Sequence, residues 1–151
     1  MTTPQVSIIM PVYNAGPFVG AAIESVLNQS HSNWELLIVN DGSTDQSDQV
    51  IRSYSDGRIR LFSQSNKGVS SARNVALNAM NGEFFCFLDA DDILPGNAIQ
   101  SRLDVFLNSD EIHFVDGTVK QYDHLMTKVT REWRPSFEGK PLGLLLRLSP
   151  E

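Results

Sequence analysis

Three carboxylates, Asp89, Asp91 and Asp92, lie within four residues of one another, directly after the apolar run 84–88. Carboxylates this close repel one another unless a cation or hydrogen bonds offset their charge. Their hard oxygen atoms suit Mg²⁺ or Mn²⁺, which often take one or two protein carboxylates and complete the shell with substrate phosphate oxygens. The acids could instead cap a helix that begins near Pro95, a role that Asp92 fits best. The cluster therefore predicts a cation site, with helix capping as the alternative.

A further acid, Asp41, follows the apolar run 35–39 and opens the sequence Asp-Gly-Ser-Thr-Asp. An acceptor at the end of a strand could take the N–H of a nucleobase. An Asp-Gly turn followed by a helix capped by Ser43, with Gln46 three residues on as in a capping box, would explain the same residues. The chain has no glycine-rich dinucleotide fingerprint and no phosphate-binding P-loop, which argues against a dinucleotide oxidoreductase or an NTPase.

The strands that would carry these residues are short apolar runs rich in β-branched and aromatic residues, bounded by turn residues. They are residues 6–12, 35–39, 59–62, 84–88 and 112–115. Residues 127–133 are a further candidate strand.

Apolar residues recur at helical spacing between these runs. The first gap has Phe18, Val19, Ala22, Ile23, Val26 and Leu27, and the third has Val69, Ala72, Ala76, Ala79 and Met80. Pro17 is placed for a first helical turn, Pro95 opens a segment with Ile99, Leu103 and Phe106 on one face, and a weaker pattern surrounds Val50, Ile51 and Tyr54. Alternating strands and helices predict a doubly wound α/β fold with a mostly parallel sheet.

In such a fold, the polar candidates fall at the carboxyl ends of the strands, where open α/β sheets bind ligands. They are Tyr13 and Asn14, Asp41, Asn66 and Lys67, the acids of residues 89–92, and Asp116. Polar loops occur at this edge in any α/β protein, so the placement alone leaves the ligand open.

Composition limits the classes of function. A chain of 151 residues with 41% apolar residues is long enough for one domain with a core. Its net charge of -6 argues against a strong electrostatic hold on nucleic acid or an anionic membrane. The single cysteine, Cys86, cannot form an internal disulfide, which favours a reducing compartment. A membrane-spanning helix needs about 18 apolar residues, and every apolar run in this sequence is far shorter. No signal peptide is evident either, so we expect a cytoplasmic protein.

Four segments, in order along the chain, closely resemble the family 2 glycosyltransferases of GT-A fold. They are residues 6–14, 40–45, 66–74 and 87–95, which read VSIIMPVYN, NDGSTD, NKGVSSARN and FLDADDILP. The resemblance implies a Rossmann-like, mostly parallel sheet flanked by helices. It also implies an enzyme that transfers a sugar from a nucleotide-diphosphate donor to an acceptor, with inversion at the anomeric carbon and with Mn²⁺ or Mg²⁺ as cofactor.

The resemblance also implies roles for single residues. Pro11, Val12 and Tyr13 would line the base pocket, Asp41 would accept the base N–H, and Lys67 and Arg73 would lie along the donor site. Asp89 and Asp91 form the Asp-x-Asp motif, with Asp89 near the ribose or the metal, Asp91 as the metal ligand and Asp92 helping to hold the loop. The expected partners are a UDP-sugar donor and a glycan or lipid-linked acceptor, and the inner face of the membrane becomes an alternative location.

The family places its catalytic base, an Asp or Glu often within a Glu-Asp pair, well beyond the Asp-x-Asp motif. No Glu-Asp pair occurs in this chain. We therefore expect residues 1–116 to form the donor-binding core and residues 117–151 to begin a truncated acceptor-side half, with the base beyond Glu151 and no sugar transfer by this chain alone. The leucine-rich residues 142–148 predict association with another surface, for example in a homodimer.

Two rival functions come from other classes. A binding-only module would hold a nucleotide or nucleotide-sugar without turnover. A nucleotidyltransferase would need a glycine-rich amino-terminal loop around a triphosphate, which this chain lacks.

Overall fold

A computed structural model of the protein describes residues 6–108, 112–123 and 127–134. The chain divides into two compact units, Met1–Gln100 and Ser101–Glu151. The division into a donor-binding core of residues 1–116 and an acceptor-side part of residues 117–151 stays a prediction. The first unit contains β1 (Val6–Val12), α1 (Gly16–Leu27), β2 (Trp34–Asp41), α2 (Ser47–Arg52), β3 (Ile59–Gln64), α3 (Val69–Ala79) and β4 (Phe84–Phe87). Helix α4 (Ala98–Leu107) spans the boundary, and β5 (Val119–Tyr122) and β6 (Val129–Trp133) follow it.

The first four strands form one sheet in the order β3-β2-β1-β4, and all neighbours in it are parallel. Val6 pairs with Trp34 on one side and with Phe84 on the other, and Asp41 pairs with Gln64 at the opposite end. The carboxyl ends of the strands therefore meet at one edge. The predicted α/β fold with a mostly parallel sheet is confirmed.

The central strands β1 and β2 are buried almost throughout, which explains why their sequences are continuous apolar runs without alternation. On one face, Ile9 and Leu37 pack against Ala72 and Ala76 of α3. The alanines allow this helix to lie close to the sheet, so the first turn of α3 is fixed beside the carboxyl ends of the strands.

Glu35 is a buried acid on β2 that ties several elements together. Its carboxylate accepts hydrogen bonds from Ser7 Oγ on β1 at 2.7 Å, from Arg60 on β3 at 2.9 Å, and from the backbone and side-chain nitrogens of Asn81 before β4. Burial alone would raise the pKa of Glu35, but the bonds from Asn81, Ser7 and Arg60 outweigh it and hold that pKa below its ordinary value. Glu35 therefore acts as an ionised junction among three strands.

The prediction of a strand at residues 112–115 is wrong, because residues 112–118 adopt no regular structure. The run has the composition of a strand, yet Phe114 is 46% exposed and lacks the burial that stabilises one. The second unit instead has an antiparallel hairpin of β5 and β6, in which every residue is exposed. The candidate strand at 127–133 is confirmed as β6, beginning at Val129, whereas β5 was not predicted.

Two further expectations concern the leucine-rich segment and the absence of a membrane span. The leucine-rich residues 142–148 lie outside the described residues. No helix in the described part of the chain combines the length and the apolar character needed to cross a membrane.

Candidate functional site

A cavity of about 320 Å³ opens at the carboxyl ends of the central strands. It is lined by residues 11–15, Phe18, Asp41, Val69 and residues 89–91. Five of the predicted candidates do not line it: Asn66, Lys67, Arg73, Asp92 and Asp116. The cavity brings together the others, which are Pro11, Val12, Tyr13, Asn14, Asp41, Asp89 and Asp91. All of these residues belong to the first unit.

The wall formed by residues 11–15 is fixed by the loop that follows β2. The N–H groups of Asn14, Ala15 and Gly16 donate to Ser43 Oγ at 3.0 Å, to Ser47 Oγ at 2.9 Å and to the Asp45 carboxylate at 2.9 Å. In return, Asn14 Oδ1 accepts the N–H of Thr44 at 2.8 Å. Asn14 itself takes the left-handed conformation with φ 50°, which asparagine tolerates better than most residues.

These contacts overturn the capping box predicted for Ser43 and Gln46. Helix α2 has Gln46 as its N-cap residue and no side-chain cap, and Ser43 bonds instead to a residue 29 positions earlier. The carboxylate of Asp45 occupies the amino terminus of α1, a position that often binds phosphate in α/β proteins. A phosphate group at the cavity must therefore find its positive partner elsewhere.

Asp41, the last residue of β2, is buried and almost fully hydrogen-bonded. Its Oδ1 accepts from Gln64 Nε2 at 2.7 Å and from the backbone N–H of Lys67 at 2.9 Å, and its Oδ2 accepts from the backbone N–H of Gly68 at 2.8 Å. Burial by itself would raise the pKa of Asp41. The three hydrogen bonds and the charge of Lys67 outweigh this effect, so the pKa lies below its ordinary value. Asp41 is an ionised acceptor at neutral pH.

Lys67 acts on Asp41 through its backbone N–H and its charge, and its side chain does not line the cavity. The turn that contains it is pressed against the end of β2. Gly42 has φ +73°, and a Cβ there would lie 2.7 Å from the backbone nitrogen of Asn66. Asp41 and Gly42 together hold this turn, and with it the start of α3, in place.

Arg73 does not line the cavity either. Its guanidinium donates to Asp89 Oδ1 at 2.8 Å and lies 4.9 Å from the ring centroid of Phe87. Arg73 therefore acts on the cavity through Asp89, whose charge it partly neutralises.

Of the two acids of the cluster that line the cavity, Asp89 and Asp91, Asp91 has the fewer partners. Within residues 6–108, 112–123 and 127–134, no hydrogen bond or ion pair engages it. The pKa of Asp92 is raised, first by loss of hydration and then by repulsion from Asp91 and Asp89. Helix capping does not explain the cluster, because α4 begins only at Ala98.

Phe18 and Val69 line the cavity although the sequence placed them on apolar helix faces. They are 56% and 50% exposed, while Val19 and Ala72 fill the core positions beside them. Their position was the signal that could have identified them, because each lies in the first turn of a helix that follows a strand. Such turns border the carboxyl edge of the sheet.

The lining of the cavity fits a divalent cation. It contains three carboxylates, Asp41, Asp89 and Asp91, and none of its described residues is a lysine or an arginine. The described residues include no group of three or more His, Cys, Asp or Glu side chains that could hold an ion by itself. The hard oxygens of Asp89 and Asp91 suit Mg²⁺ or Mn²⁺ if water and ligand oxygens complete the shell.

The mostly parallel α/β sheet flanked by helices is the fold of GT-A glycosyltransferases, and solved structures of such enzymes align with this chain. Residues 1–349 of Staphylococcus aureus TarS in complex with UDP-GlcNAc align with a TM-score of 0.62 and 29% identity, over 69% of this chain and 31% of that one. The mannosyltransferase PcManGT of Pyrobaculum calidifontis, in complex with GDP-Man and Mn²⁺, aligns with a TM-score of 0.67 and 24% identity, over 80% and 36%.

The chain belongs to glycosyl transferase family 2, whose family model matches residues 7–147. A relative in Escherichia coli, UDP-Glc:alpha-D-GlcNAc-diphosphoundecaprenol beta-1,3-glucosyltransferase WfgD, is 42% identical over 113 residues, which cover 74% of this chain and 44% of that protein. A glycosyltransferase of Haemophilus influenzae is 40% identical over 112 residues, covering 72% and 45%. The chain thus spans less than half the length of these two relatives.

Proposed function

We propose that this chain forms the donor site of an inverting, metal-dependent glycosyltransferase that uses a UDP-sugar. The observation that carries the proposal is the lining of the cavity at the carboxyl edge. It contains three carboxylates and, among the described residues, no lysine or arginine. A bound cation would offset the repulsion between an anionic diphosphate and these carboxylates, and Asp45 already occupies the amino terminus of α1, where a phosphate could otherwise bind. UDP and UDP-GlcNAc complexes of a related structure support the choice of donor.

The nucleobase would lie against Pro11, Val12 and Tyr13, and Asp41 would accept its N–H. Asp41 is ionised at neutral pH and is therefore an acceptor only. Uracil, which presents an imino N–H, matches such a group, whereas cytosine presents an unprotonated ring nitrogen at the same place. The chemistry of Asp41 thus favours a uracil nucleotide over a cytosine nucleotide.

Asp89 and Asp91 would hold Mn²⁺ or Mg²⁺. Arg73 already engages one oxygen of Asp89, so Asp91 is the carboxylate that is free to bind the ion. When bound, the cation supplies charge stabilisation to the leaving diphosphate, an effect generally worth several kcal/mol.

The proposed reaction is a single displacement. The acceptor hydroxyl oxygen bonds to the anomeric carbon, the bond from that carbon to the diphosphate breaks, and the hydroxyl proton passes to a general base. We assign no base to this chain, because each acid of the cavity has another role in the proposal. A lipid-linked acceptor at the inner face of the membrane is the proposed second substrate, supported by the diphosphoundecaprenol acceptor in the name of the E. coli relative.

The proposal is tested by calorimetric titration of the chain with uridine, UMP and UDP, each with and without MnCl₂. We expect Mn²⁺ to raise the affinity for UDP by at least about tenfold and to leave uridine unchanged, because only the diphosphate brings charge to the carboxylates. GDP and CDP serve as controls for the base. UDP binding that is equally tight without any divalent metal would contradict the metal assignment, and no binding of any nucleotide would contradict the function.

Replacing Asp41 with Asn should weaken the binding of uridine and of UDP by about tenfold while leaving the effect of Mn²⁺ in place. An amide oxygen is a weaker acceptor, and its NH₂ group would face the N–H of Gly68. The ratio of UDP affinities with and without Mn²⁺ is the measurement that separates the base from the metal. Loss of the Mn²⁺ effect in D41N would indicate that Asp41 belongs to the metal site.

A binding-only nucleotide module is the alternative function. It predicts the same nucleotide titrations but no transfer of sugar from the donor to an acceptor by a protein that contains this chain. The transfer assay, with release of UDP as its readout, separates the two.

A further inference from the structure

The number of hydrogen bonds that Asp41 can still accept limits which bases it can recognise. A carboxylate offers about four acceptor positions, two on each oxygen. Oδ1 uses both of its positions, for Gln64 Nε2 at 2.7 Å and the N–H of Lys67 at 2.9 Å. Among the described residues, Oδ2 accepts only the N–H of Gly68, at 2.8 Å. One position on Oδ2 is left for a ligand.

Gln64 is the side chain that fills the second position on Oδ1. It is the last residue of β3 and pairs with Asp41 across the sheet, so the two side chains emerge next to each other. The same Nε2 also donates to Ser71 Oγ on α3, at the longer distance of 3.2 Å. Gln64 does not line the cavity, so the hydrogen bond to Asp41 is its most direct connection to a ligand there.

We propose that Gln64 is a positioning residue that determines base specificity, because it restricts Asp41 to a single hydrogen bond with the ligand and so favours uracil over guanine nucleotides. This inference rests on the proposed function. Uracil offers one imino N–H, which the free position on Oδ2 satisfies. Guanine offers two adjacent donors, and a carboxylate pairs with both only if each of its oxygens has a free position.

A guanine in this cavity would leave one donor without its partner on Asp41. An unpaired polar group in a binding site lowers affinity strongly, and sites built for one hydrogen-bonding pattern reject another on this basis. The other two donors to Asp41 are the backbone N–H groups of Lys67 and Gly68, which substitutions other than proline leave in place. Gln64 is thus the one contact through which a side-chain change can reopen Oδ1.

Titration of wild type and Gln64→Met with UDP and GDP, both with MnCl₂, tests the proposal. Methionine keeps the length of the side chain and removes the donor. We expect the wild type to bind UDP at least about tenfold more tightly than GDP, and we expect Q64M to raise the ratio of GDP to UDP affinity by about tenfold. A general loosening of the site would weaken both nucleotides alike and leave the ratio unchanged.

Ser71→Ala is the matched control, because it removes the other partner of the Gln64 amide and keeps the bond to Asp41; its ratio should equal that of the wild type. Gln64→Ala replaces Q64M if thermal unfolding shows that Q64M does not fold. An unchanged ratio in the Gln64 variant, or a wild type that binds GDP as tightly as UDP, overturns the inference while the nucleotide-binding function stands. A wild type that binds neither nucleotide overturns both.

Discussion

Asp91→Asn is expected to remove the metal-dependent part of UDP binding, lowering the affinity in the presence of Mn²⁺ by about a hundredfold. Asp91 lines the cavity, and within the described residues nothing else engages its carboxylate, so its charge is available to a cation. An amide in its place offers a neutral oxygen and donors that repel the ion. Calorimetric titration with UDP at several Mn²⁺ concentrations measures the effect.

Asp92→Asn is the matched control, since it removes the same charge one residue further on. Asp92 is not part of the cavity lining, and its substitution should change UDP affinity by less than about threefold. Equal losses in the two variants would indicate a general effect of charge in this loop. Unchanged UDP affinity of D91N in the presence of Mn²⁺ would show that Asp91 does not bind the metal.

The second large effect is on stability. Glu35→Gln should lower the free energy of unfolding by about 3 kcal/mol, because an NH₂ group replaces one of the two acceptor oxygens. This group would meet either the donors of Ser7 and the Asn81 backbone or those of Arg60 and the Asn81 side chain. Arg60 is 38% exposed, so its share is reduced by solvent. Urea denaturation measures the change. Glu83→Gln, at an exposed acid near the same turn, should stay within about 0.5 kcal/mol of the wild type.

The contribution of Glu35 should also depend on pH. The pKa of Glu35 is lower in the folded protein than its ordinary value of 4.5. The stabilisation by Glu35 is therefore complete above pH 4.5, and it is lost as the pH falls from 4.5 through the lower pKa of the folded protein. The difference in unfolding free energy between wild type and E35Q should shrink between about pH 7 and about pH 3. A difference that stays constant over this range would mean that Glu35 does not act as a carboxylate.

Much of the first unit follows from local patterns. β1 was predicted with its observed bounds because its apolar run is buried on both faces, and Pro17 marked the first turn of α1. Ser43 was misplaced because its partner, Asn14, lies 29 residues away and no local spacing reveals such a bond. The strand predicted at 112–115 failed because a strand needs burial and pairing, which composition does not supply.

The site was predicted unevenly for the same reason. Residues at the ends of β1, β2 and β4 were identified because the parallel sheet brings its carboxyl ends to one edge. Phe18 and Val69 were missed as lining residues, since helical periodicity does not distinguish an apolar residue in the core from one in a cavity. The role of Gln64 depends on its register with Asp41, which the sequence does not specify.

The hydrogen bonds that join residues 14–16 to residues 43–47 make two loops into one frame beside the cavity. This backbone is ordered when the chain folds, so a ligand does not spend binding free energy on ordering it. Phe18 and Val69 project beside that frame without taking part in it. Exchanging such side chains would alter the shape of the cavity while the frame stays intact, which is how a single fold can acquire new donor preferences without losing its stability.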